Sequence, residues 1–245
     1  MRYFAVLLRR EVHAYAVSPL TYLVLTLFWL VQGFLFFLYV ETSRGDYSTI
    51  VRATFSSNFF FILITLAPPL LTMRLFAEER RRGTLEVLLT APVTNLQVVL
   101  SKFFASWILF GALWLPVVLH FLVLSSYGSA PHWGPIGTGI LGTLLVGSFY
   151  CSIGLFASVI SDEQMISAVV SVVLCLSLLF LHFLHFLGPP ADIIPYLRHT
   201  SIPFHFHDLA KGILDTRALT FLLSGSFFFL FVSWKLLQTR QWRSP

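Results

Sequence analysis

LTYLVLTLFWLVQGFLFFLYV, Leu20 to Val40, carries no charged residue, and Gln32 is its one amide. About 20 such residues, rising 1.5 Å each as a helix, cross a hydrocarbon core of roughly 30 Å. Working outward from this run, five more appear: Phe55 to Phe76, Leu96 to Leu124, Ile136 to Ile160, Met165 to Leu187 and Ala218 to Leu237. The third is long enough to tilt or to kink at Pro116, where one helix hydrogen bond is lost. Turn-rich Ser125 to Pro135 separates it from the fourth. The expected fold is therefore an all-α membrane protein, one transmembrane domain over residues 1–245 with six spanning helices.

Composition agrees. Charged residues make up 11% of the 245, against about a quarter in a soluble domain. The apolar fraction is 57% and the mean hydropathy +0.82, in uninterrupted runs instead of the stripes of a half-buried surface. The net charge of +5 comes from arginines set between apolar runs, which marks a membrane face and not a nucleic-acid surface. Cys151 and Cys175 both lie inside apolar runs and form neither a disulfide framework nor a zinc motif. The 26 phenylalanines read first as lipid contact.

The first apolar run starts too late, behind too mixed a leader, for a cleaved signal peptide. Residues 1–17 read instead as an amphipathic helix on the membrane surface, with Phe4, Leu8, Val12 and Tyr15 on one face and Arg2, Arg9, Arg10 and His13 mostly elsewhere. Ser18-Pro19 then caps and starts a new helix. Six crossings place eleven basic residues on one side, Arg2, Arg9, Arg10, Arg74, Arg80, Arg81, Arg82, Lys102, Lys235, Arg240 and Arg243. The other side holds five, Arg44, Arg52, Arg198, Lys211 and Arg217. The excess marks the cytoplasm, so both termini are expected there, as is the loop over 77–95.

That loop is a charged turn followed by a short amphipathic helix. Thr84 is a suitable N-cap, Glu86 sits in the first turn where the helix dipole favours an anion, and Pro92 ends the element. Leu85, Leu88 and Leu89 make one apolar face, which needs either a lipid surface or a partner to cover it.

LAPPLLTMRLFAEERRRGTLEVLLTAPVTNLQVVLSKFFA, Leu66 to Ala105, resembles the segment joining the second and third helices of type-2 ABC exporter permeases, especially the gliding-motility and nitrous-oxide-reductase-maturation group. SDEQMISAVVS, Ser161 to Ser171, is similar to that group's second cytoplasmic turn and following helix, and HFHDLAKGILDTRAL, His205 to Leu219, to its segment before the last helix. The likeness spans most of the chain in order. It implies a coupling helix seated in a groove of a cytoplasmic ABC ATPase subunit, a role that falls on Glu78, Glu79, Arg80, Gly83, Thr84, Leu85, Glu86, Leu88 and Leu89, with Asp162, Glu163 and Gln164 in the second turn. Arg82 departs from the pattern, which expects a small or polar residue there. The resemblance further implies a second permease, copy or paralogue, a multi-pass place in a bacterial plasma (inner) membrane and, from gliding-type relatives, extracytoplasmic envelope proteins as partners. No cofactor is expected in this chain, since ATP and Mg2+ would be held by the partner ATPase.

The residues themselves limit the alternatives. There is no Gly-x-x-x-x-Gly-Lys-Ser/Thr phosphate cradle, so a pump built on this chain draws its energy from elsewhere. An ion-driven transporter would place ionisable groups at mid-depth, where the runs offer only Gln32 and His120 beyond hydroxyls. An intramembrane enzyme would need a Ser/His/Asp or metal constellation that is not evident. A mechanical or anchoring subunit that passes no substrate stays open. His182, His185, His199, His205 and His207 gather with Asp192 and Asp208 toward the outer end, in spacings that match no ligand pattern; half-buried interfacial rings explain them better than a metal. Residues 188–217 read as an extracytoplasmic or interfacial segment, with Ile194 to Leu214 re-entrant or amphipathic and broken at Pro195 and Pro203. Gly147, Cys151, Gly154 and Ser158, and then Ser167, Ser171 and Cys175, form stripes that read as close helix packing before they read as a polar path.

Topology is open to a direct check. Single cysteines at Ser48, Ser129 and Thr200 are expected to label from outside in intact cells, and cysteines at Arg82 and Thr239 are not. Outside labelling at Arg82 overturns both the helix count and the coupling assignment.

Overall fold

A computed structural model describes residues 2–44, 46–81, 83–84, 93–126, 133–184 and 201–241. They form α1 (Arg2–Val17), α2 (Pro19–Thr42), α3 (Tyr47–Ser56), α4 (Asn58–Thr72), α5 (Ala77–Arg81), α6 (Asn95–Ser126), α7 (Trp133–Ile160), α8 (Gln164–Leu184), α9 (Ile202–Ala210) and α10 (Thr216–Gln241). No strand occurs among the described residues, and six segments are long and apolar enough to cross a membrane: α2, Asn58–Arg81, α6, α7, and most of α8 and α10. The protein is an all-α membrane protein.

α7 is the hub. It packs against α4, α6, α8, α9 and α10 and is the most buried of the spans. Its small residues explain why: a Cβ at Gly147 would collide with the Phe110 ring of α6, and one at Gly154 with Thr72 of α4. Gly147, Cys151, Gly154 and Ser158 are all buried, so the stripe is a packing surface that lets backbones approach where lipid supplies no hydrophobic drive. Tryptophans and hydroxyls add bonds between spans: Trp107 Nε1 donates to the Leu144 carbonyl at 2.9 Å, and the Ser148 and Ser226 hydroxyls lie 3.2 Å apart. α6 runs unbroken through Pro116, whose missing N–H leaves the Ala112 carbonyl without its usual donor. The indole of Trp29 on α2 donates to that carbonyl at 3.3 Å.

Two points differ from the sequence reading. Phe55 belongs not to the second span but to α3, a separate helix begun by Asp46, which accepts from the amides of Ser48 and Thr49. Hydrogen bonds from the Thr49 and then the Ser48 hydroxyl hold the Asp46 carboxyl below its ordinary range. Ser57, in extended conformation, then caps α4. Before the last span, Pro203 sits in the first turn of α9, where the absent N–H has no partner to lose, and Ser201 ahead of it is extended. Ile202, Phe206 and Leu209 of α9 are buried, and Phe206 lies 4.8 Å from Phe60 and 6.5 Å from Phe55, so α3 and α9 close one end of the bundle with aromatic rings. Finally, the covered face of α1 runs through Leu7, Glu11 and Tyr15, with Phe4 and Leu8 half-buried and Val12 exposed, because α1 lies along α6.

Gly147→Ala is expected to lower the unfolding temperature in detergent, at an overpacking cost of about 1–3 kcal/mol. Adding Phe110→Leu should recover most of the loss, whereas Gly33→Ala, with open space around its Cβ, should leave stability unchanged. A Gly147→Ala protein as stable as wild type would refute the tight seam.

Candidate functional site

The predicted first loop and the predicted second turn meet. α4 stops at Thr72 and the chain turns through Met73–Phe76 before α5, a break enforced by side chains that capture backbone groups. The Tyr15 hydroxyl donates to the Leu71 carbonyl at 2.7 Å. Burial pushes that phenol well above its ordinary range, so it remains a protonated donor. The amides of Phe76 and Ala77 donate to Ser158 Oγ of α7 at 2.9 and 3.2 Å, so α5 is capped by a residue from another helix.

Arg80 makes the reciprocal link. Its guanidinium donates to the Val159 carbonyl at 2.9 Å, to the Ser161 carbonyl, and to Asp162 Oδ1 at 2.7 Å. A cation on the last carbonyls of α7 also complements that helix's dipole. α5 is thus held at its start by Ser158 on the last turn of the hub helix, and near its end by its own Arg80, which reaches Val159 on that turn and Ser161 and Asp162 just beyond it. Gly83 follows with φ +70, a conformation that favours glycine, and its amide donates to the Arg80 carbonyl at 3.0 Å.

Glu79 points the other way. Its Oε1 lies 2.9 Å from Lys102 Nζ of α6 and 2.8 Å from Arg10 Nη2 of α1, while Glu11 of α1 accepts from the same lysine at 3.2 Å. Arg10 and Glu11 also pair at 3.3 Å. Two cations and two carboxylates balance, which is what allows Lys102 to be 99% buried, with its ammonium 5.2 Å from the Phe76 ring. α1, α5 and α6 are therefore joined by one ionic cluster.

Of the residues read as coupling elements, Glu79 and Arg80 are engaged inside the bundle end, and Glu78 is half-buried. Gly83, Thr84, Asp162 and Glu163 are exposed, with Gln164 half-buried, and the Thr84 hydroxyl donates to the Glu79 carbonyl at 3.2 Å. Leu85, Glu86, Leu88 and Leu89 lie outside the described residues, as does Arg82. The sequence reading missed Glu11, Tyr15 and Lys102 as partners of this loop. A lysine inside an apolar run and a lone carboxylate on a basic amphipathic helix were the available signals. At the opposite end, His182 Nδ1 lies 3.4 Å from Ser201 Oγ and His205 stacks on Phe221 at 4.7 Å. His185, Asp192, Pro195 and His199 lie outside the described residues, among which no group of three metal-ligating side chains occurs.

A family model described as ABC-2 family transporter protein matches residues 24–190, more than half of the chain, including both halves of the α5–α7 junction. The chain belongs to the ABC-2 transporter family. It is a membrane permease component of an ABC transporter, whose partners are an ABC ATPase and the lipid bilayer. No curated protein matches it. In this ABC-2 permease α5, from the first loop, and Asp162, from the second turn, are bonded to each other and to the end of the hub helix.

Lys102→Met in the ABC-2 chain leaves Glu11 and Glu79 facing each other with Arg10 as their remaining ionic partner. Breaking such a buried cluster should cost on the order of 3–5 kcal/mol, seen as a lowered unfolding temperature. The triple change Lys102→Met, Glu11→Gln, Glu79→Gln should restore most of it; failure to do so would show that charge balance is not what holds α1 to α5.

Proposed function

We propose that this ABC-2 permease is the membrane half of an exporter of the gliding-motility and nitrous-oxide-reductase-maturation type, driven by a separate cytoplasmic ATPase through α5 and the residues after Gly83. The observation that supports the reading is the Ser158–α5–Arg80–Asp162 junction. Force applied to α5 would pass through these bonds to the most buried helix of the bundle. In this reading the α5 end faces the cytoplasm of a bacterial inner membrane, and both termini lie there. A second permease, copy or paralogue, completes the path, and two ATPases bind ATP and Mg2+. The chain itself does no covalent chemistry. It alternates between inward-open and outward-open states as the ATPases close.

Leu85, Leu88 and Leu89 supply the buried face of the interface, each worth roughly 1.5–3 kcal/mol when covered, and Glu86 adds a charge-assisted contact. Leu88→Asp or Glu86→Arg should leave the permease inserted and folded while abolishing pull-down of the ATPase in the same detergent. A change at exposed Thr94 should not. Equal recovery from all of these would refute the coupling assignment and leave an anchoring or ion-driven protein. Arg80→Ala should separate two steps, keeping the ATPase bound but losing its stimulation.

A further inference from the structure

Gln32 lies near the middle of α2, within the hydrocarbon depth, and is 95% buried, yet neither its amide nitrogen nor its oxygen has a hydrogen-bond partner in the protein. Trp114 of α6 is 94% buried, and its indole N–H is also without a partner. Both line the same cavity in the seam between α2, α4 and α6. Unpaired donors and acceptors are not tolerated in a bilayer without something to answer them, and intramembrane polar groups mark functional sites.

The rest of the lining defines what answers them. The Tyr39 hydroxyl donates to Ser57 Oγ at 2.8 Å and the Thr54 hydroxyl to the Ile50 carbonyl, so both of these donors are already engaged. His120 stacks on Phe36 with ring centroids 4.5 Å apart. No Asp, Glu, Lys or Arg lines the cavity, and Leu35, Phe36 and Leu63 at its rim are half-buried and apolar. Its volume is about 30 Å3, room for about two water-sized groups. The site therefore suits a small uncharged head that both accepts and donates, on a body that stays in the hydrocarbon. A phosphate would find no cation here, and an ammonium no carboxylate.

We infer that the Gln32–Trp114 cavity is a binding site for a neutral amphiphile that enters sideways from the bilayer, its hydroxyl or ester carbonyl meeting the Gln32 amide and the Trp114 N–H. The Gln32 amide donates to the ligand carbonyl and accepts from its hydroxyl, Trp114 donates only, and the acyl chain lies along the α2 seam. Binding here needs no ATP, so the site stands apart from the coupling reading.

The test uses the full chain in phosphatidylcholine nanodiscs with a monoacylglycerol that carries a diazirine beside its ester and an alkyne at its tail. Irradiation should label peptides of α2, α4 and α6 around the cavity. Unlabelled monoacylglycerol should compete, whereas free glycerol and a long-chain alkyl phosphate should not. Gln32→Leu and Trp114→Phe should each cut labelling about five-fold, as expected for losing one hydrogen bond, while Phe34→Leu on the exposed side of α2 should not. Without ligand, Gln32→Leu should unfold at the wild-type temperature or above it, since it removes an unpaired buried group; a marked loss would make the amide structural and overturn the site. Trp114→Phe, which removes the indole N–H together with two ring carbons, carries the test if Gln32→Leu does not assemble, with labelling normalised to folded protein. Undiminished labelling in both variants, competition by glycerol, or equal competition by the alkyl phosphate would each overturn the inference.

Discussion

Hydrocarbon offers no hydrogen bonds, so every backbone amide and carbonyl released from a helix in this chain has to be met by another part of the protein. The places where helices are interrupted are consequently the places where they are joined. Pro116 frees a carbonyl and Trp29 takes it, tying α2 to α6. The turn at Met73–Phe76 frees a carbonyl and two amides; Tyr15 takes the first and Ser158 the others, tying α4 and α5 to α1 and α7. A soluble protein could leave such a break to water. Here the break is a joint with assigned partners.

The two ends of the bundle are built from opposite materials. The end carrying α5 is held by ions, Arg10, Glu11, Glu79 and Lys102 around one buried ammonium, and by Arg80 on the carbonyls of α7. The end closed by α3 and α9 is held by Phe55, Phe60, Phe121 and Phe206 in edge, stacked and tilted contacts. Ionic geometry is directional and transmits displacement. Aromatic packing tolerates small sliding, since many ring orientations have similar energy. A stroke delivered to the ionic end would thus arrive at an end able to rearrange.

Much of this was legible in the sequence because lipid forces apolar residues into runs whose length is set by bilayer thickness; all six spans follow from that. α3 was not, because Tyr47 to Ser56 mixes Arg52 and hydroxyls with Ile50, Val51 and Phe55, and its apolar face shows itself only once α4 and α9 stand beside it. Ser158 could be read as a small packing residue but not as a cap, since the amides it binds lie 81 and 82 positions earlier. Lys102 counted correctly as a basic residue near one face. Its partners, however, come from two other elements, and charge pairing between distant helices leaves no periodic trace.

The ionic cluster also sets an order of events during synthesis. Glu11 and Lys102 are separated by 91 residues, and Arg80 waits 82 for Asp162. At about 5–20 residues per second, Glu11 is made roughly 5–20 s before Lys102, with adjacent Arg10 as its nearest ionic partner until then. The salt bridge that fixes α1 against α6 can close only after the start of the third span has been made, so docking of the first helix is a late step set by chain order.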